Sequence, residues 1–199
     1  CMEMKELRET GVTESNASQI FDWTRARSHI FRGAAYGTLL RTDAFHFMRL
    51  GTFIERADNT ARVLDVRHEM ASASQDEHAT RSFFEWTALL HSLAAFEAYQ
   101  QIYGHNILPI NVAELLILEL DVPRSLHACL HEVVALLELV ESGDSRKARR
   151  MANSLYANIH FGDRDYIAER GLHEYLTDFL ERIQAISAQI QKDYMGWQA

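Results

Sequence analysis

The sequence predicts an all-α fold: an antiparallel helical bundle of about six or seven helices, in a single domain over residues 1–199. Three observations predict it. Only two of the 199 residues are proline, and Ala, Leu, Glu and Arg recur throughout, a balance that favours helices over strands and turns. Apolar residues return at steps of three and four in one segment after another, the period of a buried helix face. The segments are joined by short connections, which makes sequential helices antiparallel neighbours. Hydrophobic residues make up 47% of the chain, enough for a sizeable core and too many for a disordered chain.

The elements follow in order. Residues 1–15 are polar and read as a loose lead-in. Ser15 or Asn16 can cap a first helix through Ile20, Trp23, Ile30 and Phe31. Gly33 and Gly37 interrupt the next stretch. Thr42 or Asp43 caps a long helix whose buried seam is Leu50, Ile54, Ala57, Ala61 and Leu64. The small Ala57 and Ala61 let a neighbour approach closely. A different face carries Glu55, Asp58, Arg62, Asp65 and Glu69. A polar stretch from Ser72 to Thr80 precedes a helix around residues 81–103, with Phe84, Leu89, Leu93, Phe96 and Tyr99 on its apolar side. Gly104 stops it.

Pro109 opens a short segment, Val112 to Leu120, that is almost continuously apolar. It reads as a buried helix, because a lone strand would find nothing to pair with. Pro123 suits the first turn of the next helix, which buries Leu126, Leu130, Val133, Leu137 and Val140. Gly143 ends that helix, and Asp144 caps another through Met151, Leu155 and Ile159. The last helix runs from about Asp163 to Tyr194, with Leu172, Tyr175, Leu176, Phe179, Ile183, Ile186 and Ile190 inward. Gly171 interrupts it early.

Charge and spacing narrow the chemistry. A formal net charge of −8 gives no global attraction to nucleic acid. The clustered Arg25, Arg27 and Arg32 and the basic run Arg146 to Arg150 read as solvated helix faces. No apolar run has the length of a membrane span. Cys1 and Cys129 make no disulfide framework, so a reducing cytoplasm is the natural compartment. There is no phosphate-binding glycine loop and no His-Glu-x-x-His. No Glu is followed by His three residues later, the spacing that di-iron bundles require. His127 with His131, and Glu169 with His173, lie four apart, but two ligands do not close a metal site. No metal and no cofactor is expected. Cys129 lies among apolar residues, which raise a thiol pKa and suppress the nucleophilic thiolate.

The group Glu55, Arg56, Asp58, Asn59, Arg62 and Asp65 is what packing leaves unexplained. Arg32 and Arg124 are candidates to supply further positive charge to the same pocket. Asp58 and Arg62 form an i,i+4 pair, worth only about 0.3–0.5 kcal/mol if exposed. Two readings stand side by side. The group is either a polar constellation inside the bundle that binds a ligand, or a solvated face with incidental ion pairs.

The stretch from Phe47 to Val66, Phe-Met-Arg-Leu-Gly-Thr-Phe-Ile-Glu-Arg-Ala-Asp-Asn-Thr-Ala-Arg-Val-Leu-Asp-Val, resembles the signature of the bacterial alpha-E proteins. That helical domain is named for a Glu-Arg motif, matched here by Glu55 and Arg56. Phe31-Arg32-Gly33, Trp86 with Leu89-Leu90, Ala98-Tyr99, Pro123-Arg124-Ser125 and Gly171-Leu172-His173 also resemble it. The resemblance covers most of the chain from about residue 20. Members of the family are longer and carry two such motifs, so the resemblance implies a C-terminal portion of a longer protein.

The family has no established reaction. Its genes resemble parts of systems that encode an ATP-grasp-type ligase and a transglutaminase-like protease. The resemblance therefore implies a protein that assists peptide or amide synthesis or processing. With no recognised nucleophile, metal set or phosphate loop in the sequence, the first reading is a noncatalytic helical module that binds a ligase, a peptide or its own copies. One alternative is an enzyme of amide or peptide chemistry, with Glu55 as acid or base and the arginines as carboxylate clamps. Another is a purely structural or oligomerisation protein whose Glu-Arg motif locks helices through buried ion pairs.

Overall fold

A computed structural model describes residues 11–73, 79–140 and 146–195. Among the described residues every regular element is a helix, and there are nine: α1 (Ala17–Thr38), α2 (Asp43–Ala73), α3 (Ala79–Ser92), α4 (Phe96–Tyr103), α5 (Pro109–Leu118), α6 (Leu126–Leu139), α7 (Arg146–His160), α8 (Arg164–Arg170) and α9 (Leu172–Met195). The all-α class is as the sequence predicts. The count is higher because two long segments each divide, one at Ala94 and one at Gly171. Residues 1–10 of the expected lead-in, residues 74–78 of the polar stretch, Gly143, Asp144 and the Glu69 side chain lie outside the described residues. The described chain forms two compact units, one ending at Phe45 and one beginning at His46.

In the first unit, Asn16 precedes α1 but does not cap it with its side chain. Its Oδ1 instead accepts from the Thr13 amide at 2.7 Å and its Nδ2 donates to the Gly11 carbonyl at 3.1 Å. The helix then passes unbroken through Gly33 and Gly37. A mid-helix glycine costs about 1 kcal/mol relative to alanine but does not end a helix by itself. Arg41 holds the turn that follows. Its Nη2 donates to the Tyr36 carbonyl at 2.8 Å, and its guanidinium lies 4.2 Å from the centre of the Phe45 ring. The buried residues of α1 are Ile20 and Ala35.

The second unit holds the main core. The α2 seam enters it as expected: Leu50, Ala57, Ala61 and Leu64 are buried, and Ile54 packs against them. Helix α3 contributes Trp86, Leu89, Leu90 and Leu93. Phe84, expected inward, is 63% exposed; Trp86, two residues on and larger, takes the buried side of the helix. Ala94 adopts a left-handed φ of 51° and separates α3 from α4. The Ala94 and Ala95 amides donate back to the His91 and Leu90 carbonyls, which closes the helix end.

Gly104 (φ 77°) ends α4, and Pro109 opens α5, both as expected. The Tyr99 hydroxyl ties the loop between them, donating to the Asn106 carbonyl and accepting from the Leu108 amide, each at 2.9 Å. Pro123 does not start α6. It lies in the preceding turn, and Ser125 is the cap, its hydroxyl accepting from the Ala128 amide at 2.9 Å. A serine side chain satisfies an orphan helix amide, which proline cannot do. Asp163 caps α8 in the same way, accepting from the Tyr166 amide at 2.8 Å. Gly171 (φ 87°) then separates α8 from α9. Helix α6 packs on α7, and α7 packs on α9.

Candidate functional site on the long helix

Each residue of an α-helix turns the chain by about 100°, so neighbours in sequence cannot share a face. That geometry divides the string from Arg49 to Arg67. The apolar seam faces the core. Glu55, Asp58, Arg62 and Asp65 form a second stripe on one flank. Arg49, Phe53, Arg56, Thr60 and Arg67 form a third on the opposite flank. Asn59 points away from the core and is exposed.

The second stripe faces α9. Glu55 and Asp58 line a shallow groove of about 330 Å³ with Gly51, Ile54 and, from α9, Ile183, Gln184 and Ser187. A Cβ added at Gly51 would meet nothing within 4 Å, so the groove is open there. Glu55 is exposed, and among the described residues it forms no hydrogen bond or ion pair. Asp58 takes both Nε and Nη2 of Arg62, at 2.7 and 3.0 Å. That bond raises the Arg62 guanidinium further above its already high range. Asp65 is only 15% exposed and lies 2.8 Å from Nδ1 of His173. His173 therefore turns to a carboxylate on α2, rather than acting with Glu169 on its own side of the chain.

The third stripe grips the rest of the bundle. Arg56 Nη1 donates to the Pro123 carbonyl at 3.0 Å, and its guanidinium lies 5.1 Å from the Phe53 ring centre. Arg49 covers the same ring at 5.5 Å and meets Glu132 of α6 at 2.5 Å. Arg67 pairs with Glu85 of α3 and lies 5.4 Å from the Trp86 ring centre. Guanidinium groups over aromatic faces gain from the ring quadrupole and keep their edges free for hydrogen bonds.

The Pro123 carbonyl also stands 3.9 Å from Cys129 Sγ. Burial pushes that thiol up to about 12, although the charges of Arg56 and Arg124 pull the other way. Arg56 and Arg124 thus converge on the turn before α6. Arg32 belongs to the unit that ends at Phe45, where it donates to the Ser28 hydroxyl at 3.2 Å. The eight candidate residues do not gather at one point. Glu55, Asp58, Arg62 and Asp65 share a flank; Arg56 and Arg124 share a turn.

The family follows from a match across nearly the whole chain. Residues 2–195 fit the model of Alpha-E, described as a predicted alpha-helical domain with a conserved ER motif. The chain belongs to the Alpha-E family. No curated protein and no solved structure matches it.

In this Alpha-E chain Arg49, Phe53 and Arg67 escaped the sequence reading, although their signal was present. With Arg56 and Thr60 they repeat at helical spacing and alternate cations with an aromatic ring. Two further Glu-Arg pairs, Glu169-Arg170 and Glu181-Arg182, also passed unremarked. His127, paired on spacing with His131, is instead buried. Its Nδ1 lies 2.7 Å from the Leu118 carbonyl. A carbonyl only accepts, so Nδ1 carries the proton and Nε2 faces His160 at 3.2 Å. His131 is exposed.

Proposed function

We propose that this Alpha-E chain is a noncatalytic helical module. It docks onto an ATP-grasp-type ligase in a bacterial cytoplasmic system that makes or processes peptide or amide bonds. The supporting observation is α1. This helix has 22 residues and leaves Phe21, Ile30 and Phe31 more than half exposed. Helices in proteins draw most of their stability from packing apolar side chains, and three large ones exposed on different sides of this single helix leave it with apolar surface that a partner would cover. A catalytic use of the Glu-Arg motif is less well supported. It needs both side chains on one substrate, whereas Glu55 and Arg56 lie on opposite flanks and Arg56 is engaged by Pro123.

Co-purification with an ATP-grasp-type ligase encoded alongside the chain tests the reading. The expected result is a complex at micromolar concentration that Ile30→Glu or Phe31→Glu weakens at least about tenfold, with helicity by circular dichroism unchanged. No complex, with or without nucleotide, overturns it. If the same substitutions instead convert a dimer to a monomer, a second copy covers α1, and the oligomerisation reading replaces this one.

A further inference from the structure

A second cleft lies away from the long helix. It has a volume of about 520 Å³ and is formed by the end of α7, the turn after it, α8 and α9. That is within the range of small-ligand sites. Its wall is close-packed where the turn begins: a Cβ on Gly162 would stand 2.7 Å from the Asn158 carbonyl oxygen, so only glycine fits that corner without a shift.

Two arginines converge on the cleft, and each belongs to one of the overlooked Glu-Arg pairs. Arg170 comes from the end of α8 and Arg182 from the middle of α9. Both reach the carboxylate of Asp178, Arg170 Nη2 at 3.5 Å and Arg182 Nη1 at 3.7 Å. Charge-assisted hydrogen bonds close to about 2.7–2.9 Å when they are saturated, so neither arginine is tightly paired with Asp178. Arg182 also donates to Ser154 at 3.3 Å and, with the Asn158 amide oxygen turned toward it, to Asn158 at 2.6 Å. A guanidinium has five N–H donors, and several remain for a ligand. The Arg170 Nε lies 3.5 Å from Glu174, whose side chain is largely in solvent.

Fork geometry, not an excess of charge, selects the ligand. Among the lining side chains two guanidiniums stand against the carboxylates of Asp178 and Asp163, the latter turned to the Tyr166 amide at the start of α8. A doubly charged phosphate would meet the stronger repulsion from these carboxylates; a single carboxylate adds less charge and matches the planar fork of arginine. The Tyr175 hydroxyl is buried and pushed up to about 12, chiefly by desolvation, so it remains a neutral donor. At the mouth stand Tyr166 and Phe161, the latter 82% exposed. An exposed phenylalanine beside a cationic cleft offers an apolar shelf next to the charge.

We infer that this cleft binds a carboxylate carried beside an apolar or aromatic group, as at the C-terminal residue of a peptide or in an N-acyl amino acid. Arg170 and Arg182 hold the carboxylate, and Phe161 covers the side chain. The inference does not depend on the docking of α1, since it concerns the chain alone.

Calorimetric titration of the full chain tests it. The probes are N-acetyl-phenylalanine, its amide, a tetrapeptide ending in phenylalanine with a free or an amidated C-terminus, and inorganic phosphate. Both acids are expected to bind at least about tenfold more tightly than their amides, and more tightly than phosphate. Arg182→Lys and Arg170→Lys should each weaken the acids about tenfold, because a point charge replaces the fork. Asp178→Asn should tighten them several-fold by removing the competing carboxylate, an effect that a merely structural ion pair would not produce. A tetrapeptide acid that outbinds the N-acyl amino acid identifies a peptide end as the source; equal affinities identify the single residue. Equal binding of acids and amides, no binding at millimolar concentration, or a preference for phosphate overturns the inference. So does an Asp178→Asn chain, folded by circular dichroism, whose affinity for the acids is unchanged.

Discussion

Arg56 gives its guanidinium to a main-chain carbonyl, whereas the Glu55 carboxylate faces an open groove. Two adjacent residues of one motif therefore differ in what they contribute. Arg56→Ala removes a hydrogen bond from a charged donor and a ring contact to Phe53. With the guanidinium part-exposed, the expected loss is about 1–2 kcal/mol. Glu55→Gln removes a charge with no partner among the described residues and should change stability by less than about 0.5 kcal/mol. Urea unfolding of the two variants checks this. A loss for Glu55→Gln as large as that for Arg56→Ala would mean that the Glu55 carboxylate is engaged in the fold rather than facing an open groove. The seam beside them was legible in the sequence because burial repeats at steps of three and four. The partner of Arg56 was not, because Pro123 lies 67 residues away and a carbonyl has no side-chain signature.

Glycines marked some element boundaries and misled at others. Gly104 and Gly171 stand where the chain takes a positive φ, and both ends were legible for that reason. Gly33 and Gly37 suggested a break that α1 does not make, since a helix can carry a glycine at modest cost. The true break between α3 and α4 falls on Ala94, at φ 51°, where the sequence shows no turn residue. An L-residue with a Cβ pays about 1 kcal/mol or more in that region, and glycine does not. Ala94→Gly is therefore expected to stabilise the protein by about 1 kcal/mol, raising the thermal midpoint by a few degrees. A lower midpoint would mean that the Ala94 methyl contributes packing which outweighs the strain. The same limit explains Phe84. Periodicity identifies a helix, but the choice between Phe84 and Trp86 as the buried ring depends on what the opposite helix offers.

Across the molecule, the all-α class was legible from composition and period, while the cleft of Arg170 and Arg182 was not. Its walls come from separate helices, and Asp178 becomes shared by two arginines only once Gly171 has set the direction of α9 from the end of α8. A further whole-molecule property follows from what the core buries. Desolvation pushes the Cys129 thiol and the Tyr175 hydroxyl each up to about 12, and burial together with Glu114 raises the Tyr103 hydroxyl as well. In the unfolded chain a thiol ionises near about 8.5 and a phenol near about 10. Between those values and the folded ones, the native state holds protons that the unfolded state has released. Unfolding then releases protons, so stability falls as pH rises. The contribution is complete below about pH 8 and is lost progressively toward about pH 12, at no more than about 1.4 kcal/mol per pH unit for each group. Urea unfolding between about pH 8 and about pH 11 should show that decline. Cys129→Ala should flatten its onset, where the thiol alone titrates, and Tyr175→Phe should flatten the steeper part above about pH 10. A stability that stays level to about pH 11 would mean that water reaches both groups in the native state, and that the core around α6 and α9 opens far more readily than its packing implies.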